Sequence, residues 1–262
     1  MSGPGQLGFR PRFFVPEVEV EDLPRGTVLS LTAEDSHHAL RVLRLAPGDA
    51  CEVVAGAAVY AASVSTVGEV VTVQLQALLE GAEAGASYRV RVGLVQALAR
   101  PAALDTVLEK GTEVGCSFFL LIRSVGSPKW AESWREDRLV RWRRVVREAA
   151  KQSKQVVVPP VVPLSSLDDA LRYLEDAGAH SLILDPDAPV TLHNRLAELG
   201  AMDPSPQAVA LWVGPEGGWT EGESEAFRRA GLVAARLGRS VLRTETAGPV
   251  AVAVSRLVLG DW

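Results

Sequence analysis

The spacing of apolar and polar positions changes character once along this chain. From Arg12-Phe13-Phe14-Val15 to about Leu79, short β-like runs alternate with turns. Val28–Leu31, Ala50–Val54, Ala57–Val64 and Val70–Leu75 read as strands, with Pro47-Gly48-Asp49 and Ala55-Gly56 as turn chemistry between them. Ala33 to Leu43 has the spacing of one short helix. Short strands at this interval predict a small barrel. Gly81 to Ser87 is small and loop-like, and it separates a first domain, 1–80, from a second, 88–262. The rhythm then becomes strand, helix, strand, helix, the signature of an α/β layer. Arg89–Ala97 and Phe118–Ile122 are predicted strands, and Ala102–Glu113 and Trp134–Gln152 predicted helices. Ser181–Leu184 and Val209–Val213 are further strands. Thr220 to Ala230 is a helix that opens with a capping box, Thr220 with Glu223 three residues on. A last strand covers Ala235 to Leu237 or beyond. Thr246 to Leu259 is a final apolar helix with Pro249 in its first turn, where a missing N–H has no partner to lose. Residues 1–9 read as a loose Gly/Pro tail.

Composition adds bounds rather than chemistry. With 262 residues, 47% apolar and 23% charged, the chain buries a sizeable core and is no disordered segment. Net charge is −5, but it is unevenly spread: residues 123–154 hold ten Lys or Arg and four Asp or Glu, whereas residues 1–80 hold five and ten. Such a basic stripe is either a phosphate-binding footprint or a solvated helix face. Arg144, Arg147, Lys151 and Lys154 share approximately one helix face by three- and four-residue spacing. Cys51 and Cys116 show no pairing or metal spacing and read as reduced and structural. His37-His38 has no acidic or Cys partner at ligand spacing, so no metal is expected. No secretory start and no apolar run near the ~20 residues of a bilayer span is visible, so the chain reads as cytoplasmic.

Two strings near the C-terminus carry the chemistry. Leu211-Trp212-Val213-Gly214-Pro215-Glu216-Gly217-Gly218-Trp219 and Leu237-Gly238-Arg239-Ser240-Val241-Leu242-Arg243-Thr244-Glu245-Thr246-Ala247 each join a predicted strand to a predicted helix. Loops of that kind line ligand crevices at the carboxyl ends of parallel strands. The glycines of the first string fit an anion cradle or a tight turn capping a helix; neither the P-loop nor the dinucleotide spacing is present. Arg243-Thr244-Glu245-Thr246 is polar in an apolar region, which fits helix capping, catalysis or both.

These strings resemble the signature loops of the SPOUT methyltransferases, and more narrowly the RsmE family. In that family the pattern is Gly-Pro-Glu-Gly-Gly-Phe-Ser/Thr followed by Leu-Gly-x-x-Ile-Leu-Arg-Thr-Glu-Thr-Ala; here Trp219 replaces the Phe and Val241 the Ile. Arg12–Val15 with His38–Leu45, Lys110-Gly111-Thr112-Glu113-Val114-Gly115 and Glu148–Ser153 are similar to three further family segments in the same order, so the resemblance spans nearly the whole chain. It departs at Ala99–Ala102, where the family carries a basic residue beside a Gly. It departs also at Ile122, where a Glu is common, and at Gln155, where an Arg is common. Those positions bear on RNA contact rather than on the cofactor loops.

The resemblance implies an N-terminal PUA-like β-barrel and a C-terminal SPOUT α/β domain with a trefoil knot. It implies S-adenosylmethionine as cofactor and methylation of uridine N3 in 16S ribosomal RNA. Leu211, Val213, Gly214, Pro215, Glu216, Gly217 and Gly218 would clasp the cofactor together with Leu237, Gly238, Val241, Leu242, Thr244, Thr246 and Ala247. Arg243 would stabilise charge on the uracil, and Glu245 or Glu216 would accept its proton. Arg12, Arg41, Arg44, Arg144, Arg147, Lys151 and Lys154 would bind RNA. The apolar final helix must be buried in its own core or against a partner, and because SPOUT proteins generally pair through this region the resemblance implies a homodimer. The other functions weighed are a non-catalytic RNA-binding or ribosome-assembly factor, and a knotted methyltransferase acting on a different RNA.

Overall fold

A computed structural model describes residues 10–15, 18, 23–56, 58–81, 88–133, 136–202 and 206–260. The expected tail at 1–9, most of the boundary segment 81–87, and Trp134 and Arg135 lie outside the described residues. The chain divides into two compact units, Met1–Ser87 with Lys154–Val157, and Tyr88–Ser153 with Val158–Trp262.

In the first unit β1 (Arg12–Val15), β2 (Val28–Ser30), β3 (Ala50–Ala55), β4 (Ala58–Thr66) and β5 (Thr72–Glu80) form one sheet in the order β1-β3-β4-β5-β2. β1 runs parallel to β3 and the other pairs are antiparallel. Register shifts along β4 and β5 mark bulges, which bend a sheet around its own core. Phe13, Val53, Tyr60, Val73 and Leu75 fill that core. Among the described residues no ladder joins β1 to β2. The helix expected over Ala33–Leu43 is instead a short α1 (Ala33–His37), capped by Thr32, that passes into a π-helical turn over His38–Val42. The widened turn, with Leu43 N–H donating to His38 O at 3.0 Å, ends with Arg44 at φ 56°.

The second unit is a six-stranded, wholly parallel sheet. Its strands are β6 (Arg91–Ala97), β7 (Phe119–Ile122), β8 (Val161–Leu164), β9 (His180–Leu184), β10 (Ala208–Val213) and β11 (Val233–Ala235), in the order β11-β9-β10-β6-β7-β8. Its helices are α2 (Pro101–Glu113), α3 (Glu136–Gln152), α4 (Leu167–Asp176), α5 (Leu192–Met202), α6 (Glu221–Arg229) and α7 (Thr244–Val258). Side chains alternate between the two faces of the sheet, as the two-residue strand period requires. Val92, Leu94, Leu211 and Val213 face α2, α3, α5 and α7. Val95, Ala97, Ala210 and Trp212 face α4 and α6. Burial on both faces explains why these strands read as unbroken apolar runs.

β8, α4 and α5 are absent from the sequence expectations. β8 contains Pro163, a residue that demotes a strand, and it lies at the sheet edge where a Pro is tolerated. The final helix starts at Thr244, not Thr246, so Pro249 lies in its second turn and withdraws the usual intrahelical donor from the Glu245 carbonyl. The last strand is Val233–Ala235 and meets the expected span only at its first residue, because Leu237–Leu242 belongs to the connection into α7.

Candidate functional site

Strands β6 and β10 lie side by side, and the chain leaves them in opposite directions: from β6 to β7, and from β10 to β11 beyond β9. That reversal opens a crevice at their carboxyl ends. The loop after β10 enters it as a tight turn. Gly218 N–H donates to Pro215 O at 2.9 Å, and Gly218 takes φ +74°, where a side chain would be strained. The turn feeds α6 through the expected capping box. Glu223 accepts from the Thr220 N–H and hydroxyl at 2.8 Å, and with its other oxygen from Val125 N–H at 3.0 Å. Glu223 thus holds the loop after β7 against the glycine-rich loop. A Cβ on Gly126 would come within 2.9 Å of Pro215 Cγ, so the two loops touch.

The glycine-rich loop is tied at two points, to Arg100 at the N-cap of α2 and, through Thr244, to β6. At Glu216, the Arg100 backbone N–H (3.0 Å) and Nε (2.9 Å) both donate to Oε1. Partial burial raises the Glu216 carboxyl, but hydrogen bonds from Arg100 and from its own backbone outweigh that and hold it below the usual carboxylate range. At Gly214, the carbonyl accepts the Thr244 hydroxyl at 2.8 Å, and Thr244 Oγ1 accepts from Gln96 Nε2 at 3.0 Å. The second tie brings the two signature strings together, since Thr244 is the first residue of α7. Gln96 is fully buried on β6, and its Oε1 has no hydrogen-bond partner. A buried unpaired acceptor of that kind costs about 1–3 kcal/mol.

Arg243 caps α7 from outside. Its side chain is 83% exposed and its Nη1 stands 3.9 Å from Glu245 Oε1. The other Glu245 oxygen is shielded from water and without a partner. Thr246 and Ala247 donate their N–H groups to Arg243 O at 2.9 and 2.8 Å, which closes the first turn. Leu211 and Val213 are core side chains of β10, so only their backbone is available at the crevice. Pro215 is buried, Glu216, Gly217, Gly218, Gly238 and Val241 are exposed, and Leu237 and Leu242 are half-buried. A Cβ at Gly217, Gly218 or Gly238 would meet nothing within 4 Å, so the backbone there stands open. Two cavities of about 210 and 400 Å³ occur elsewhere in this unit and neither is lined by these loops. The site is an open surface built of backbone.

The basic candidates are divided between the units. Arg12 is buried in the first, where Glu52 accepts its Nε at 3.0 Å and Lys154 O accepts its Nη1 at 2.5 Å. Lys154 Nζ also reaches Glu52, at 2.9 Å, and Lys154 takes φ 61°. These two cations hold the return segment 154–157 within the first unit. Arg41 and Arg44 are exposed. On α3, Arg144 is exposed and Arg147 half-buried, while Lys151 is buried and paired with Glu148 at 2.6 Å. The expected stripe is therefore exposed at Arg144, half-buried at Arg147 and buried at Lys151. Trp142 is a core residue, 1% exposed. Both cysteines are free and buried, and burial pushes each thiol up to about 12, which suits structural residues.

Gln96, Arg100 and Glu223 were not among the sequence candidates. The signal for Gln96 was available: one amide in the apolar run Val92–Ala97. Glu223 was legible only as a capping-box residue and Arg100 only within Ala99–Ala102, expected to bear on RNA contact. The ties of Glu223 to Val125 and of Arg100 to Glu216 in the glycine-rich loop became visible once the loops after β6, β7 and β10 were brought to one end of the sheet.

Residues 86–256 match the family model described as an RNA methyltransferase domain, and residues 31–65 match that of an RNA methyltransferase PUA domain. The ribosomal RNA small subunit methyltransferase E of Mycobacterium bovis is 32% identical over 93% of this chain and 92% of its own length. The Bacillus subtilis protein of the same name is 25% identical over 90% and 92%. The crystal structure of the Neisseria gonorrhoeae protein of that name, bound to S-adenosyl methionine, superposes with a TM-score of 0.77 at 26% identity, covering 95% of this chain and 98% of that one. With a PUA-like first unit, a parallel α/β second unit and two signature loops joined at Thr244, the chain belongs to the family of the ribosomal RNA small subunit methyltransferases E.

Proposed function

We propose that this enzyme transfers a methyl group from S-adenosylmethionine to N3 of a uridine in small-subunit ribosomal RNA. The observation that carries the reading is the tie between the two signature loops, Thr244 hydroxyl to Gly214 carbonyl, at the sheet reversal. The residues present fit the cofactor. Open backbone at Gly217, Gly218 and Gly238 permits close approach, and Glu245 offers a shielded oxygen with no partner. When bound, the cofactor supplies an electrophilic methyl group on a sulfonium.

The chain's own residues have two tasks. One is to hold the uracil N3 in line with that methyl group, where orientation alone contributes much of the acceleration. The other is to manage the N3 proton: as the N–C bond forms, the N–H bond must break and its proton must leave. Glu216 and Glu245 were equal candidates by sequence. Glu216 is engaged twice by Arg100 and held low, which weakens it as a base. Glu245 is assigned as the acceptor and the exposed Arg243 as the group that stabilises charge on the uracil carbonyls.

RNA is held by phosphate attraction through Arg144 and Arg147 on α3 and Arg41 and Arg44 of the PUA-like unit. A trefoil knot is supported by the connection from β11, at the sheet edge, back to α7, which lies against β6 and β10. A homodimer is supported by Val250, Val254 and Leu257, an apolar row at three- and four-residue spacing, with Leu257 67% exposed. Among the described residues no helix is long and apolar enough to cross a membrane, which fits a cytoplasmic enzyme.

Single-turnover methylation of a small-subunit RNA fragment tests the chemistry. Arg243→Ala is expected to lower the rate roughly 10²–10³-fold. Glu245→Gln is expected to lower it strongly and to abolish its rise with pH. Normal rates in both variants, on RNA that the wild type methylates, would remove this string from catalysis.

A further inference from the structure

Gln96 is chemically out of place as a packing residue. It lies in a strand whose neighbours are Leu94, Val95 and Ala97, all fully buried like itself. An unbranched apolar side chain would occupy the same space without leaving an acceptor unpaired. What the amide adds is a donor. Gln96 Nε2 donates to Thr244 Oγ1 at 3.0 Å and to Ala97 O at 2.9 Å.

The direction of these bonds is set by chemistry. The Thr244 hydroxyl has one proton, and the Gly214 carbonyl at 2.8 Å can only accept. Thr244 Oγ1 must therefore accept from Gln96, so the amide nitrogen faces it. Flipping the amide would set Oε1 against two oxygens with no proton to share. In the observed orientation Oε1 points toward Gly248 of α7, where an added Cβ would lie 3.7 Å away.

We propose that Gln96 is a positioning residue that sets the spacing of the two loops around the methyl donor. The inference rests on the reading that those loops hold S-adenosylmethionine. Gln96 links β6, the first residue of α7 and, through Thr244, the first residue after β10. Arg100, four residues further on, grips the same glycine-rich loop at Glu216. The end of β6 and the α2 N-cap that follows it thus clamp that loop at both ends of Gly214–Glu216, and the Gln96 arm alone also holds the second signature string. A site made of backbone has few other means of fixing its dimensions.

The test uses Gln96→Met, which keeps length and burial and removes the donor. Three readouts are taken: S-adenosylmethionine affinity by calorimetry, the thermal midpoint, and amide hydrogen exchange of the cofactor-free protein. The affinity is expected to fall roughly tenfold, on the scale of one or two neutral hydrogen bonds. Exchange at 214–218 and 244–247 is expected to quicken, while the thermal midpoint holds or rises. Thr244→Val is expected to give a similar loss and Thr244→Ser to stay near wild type. Gln96→Met combined with Thr244→Val is expected to bind no worse than Thr244→Val alone, because both cut one tie. Wild-type affinity and exchange in Gln96→Met, or fully additive losses in the double variant, would overturn the proposal. If Gln96→Met does not fold, equal affinities in Thr244→Val and Thr244→Ser overturn it instead. A wild-type protein that fails to bind S-adenosylmethionine would overturn the loop reading beneath it.

Discussion

Arg256 is fully buried in the last turns of α7 and should be among the most costly side chains to replace. Its Nε and Nη2 donate to Gly115 O at 3.1 and 2.6 Å, Nη2 also to Ser117 Oγ at 2.8 Å, and Nη1 to Val90 O at 2.5 Å. The guanidinium carbon stands 3.4 Å from the centre of the Tyr88 ring. These partners lie before β6 and before β7, at the end of the sheet opposite the signature loops. Hydrogen bonds to a charged group are each worth about 1.5–3 kcal/mol. Four of them would total roughly 6–12 kcal/mol if they were additive. They share one desolvated charge, however, and replacing the arginine removes that charge while taking the donor from three neutral acceptors, the Val90 and Gly115 carbonyls and the Ser117 hydroxyl, at about 1–3 kcal/mol each. Arg256→Met is therefore expected to lower the unfolding free energy by about 3–5 kcal/mol, a large part of the 5–15 kcal/mol typical of a domain. Arg256→Lys keeps the charge but not the planar fork and should fall between the two. Equilibrium urea unfolding, read as midpoint and slope, measures both. A loss below about 1 kcal/mol for Arg256→Met would show that these bonds merely replace equivalent ones to water.

Gly217→Val should leave the thermal midpoint within a few degrees of wild type, because nothing lies within 4 Å of its added Cβ. It should lower S-adenosylmethionine affinity at least about tenfold by blocking backbone approach, and calorimetry decides. Glu52 is raised by partial burial and lowered further by hydrogen bonds from Lys154 and Arg12, so its native carboxyl titrates below the usual range. Its contribution is present above the ordinary carboxylate value of about 4.3 and is lost as pH falls through the lowered native one. Glu52→Gln should therefore flatten the acid limb of the stability curve, and an unchanged limb would dissociate Glu52 from it.

The second unit was legible where local signals were strong. The unbroken apolar run Val209–Val213 and the Thr220–Glu223 box were sufficient to place β10 and the start of α6. Legibility failed where a local rule was overridden by context. Pro163 masked an edge strand, and Pro249 moved the expected start of α7 two residues late. In the first unit, residues 33–43 have ordinary helical spacing, and nothing in that spacing announces the π turn that sends Arg44 into the left-handed region.

The site divides in the same way. Its two loops could be read because glycine and a polar tetrapeptide interrupt apolar runs, which requires no knowledge of what lies beside them. The roles of charged residues could not, because charge is assigned by neighbours. Arg12 and Lys151 look alike in sequence as free cations, yet Glu52 and Glu148 hold them. Glu216 and Glu245 look alike as carboxylates, yet only Glu216 meets Arg100. Gln96 is the intermediate case. Its oddity, an amide among buried apolar residues, was printed in the sequence, but its meaning depends on Thr244, 148 positions away, arriving at the same end of the sheet. A polar residue that breaks the pattern of a buried strand is therefore best read as a request for a partner, and the fold identifies that partner as the residue on which both signature loops close.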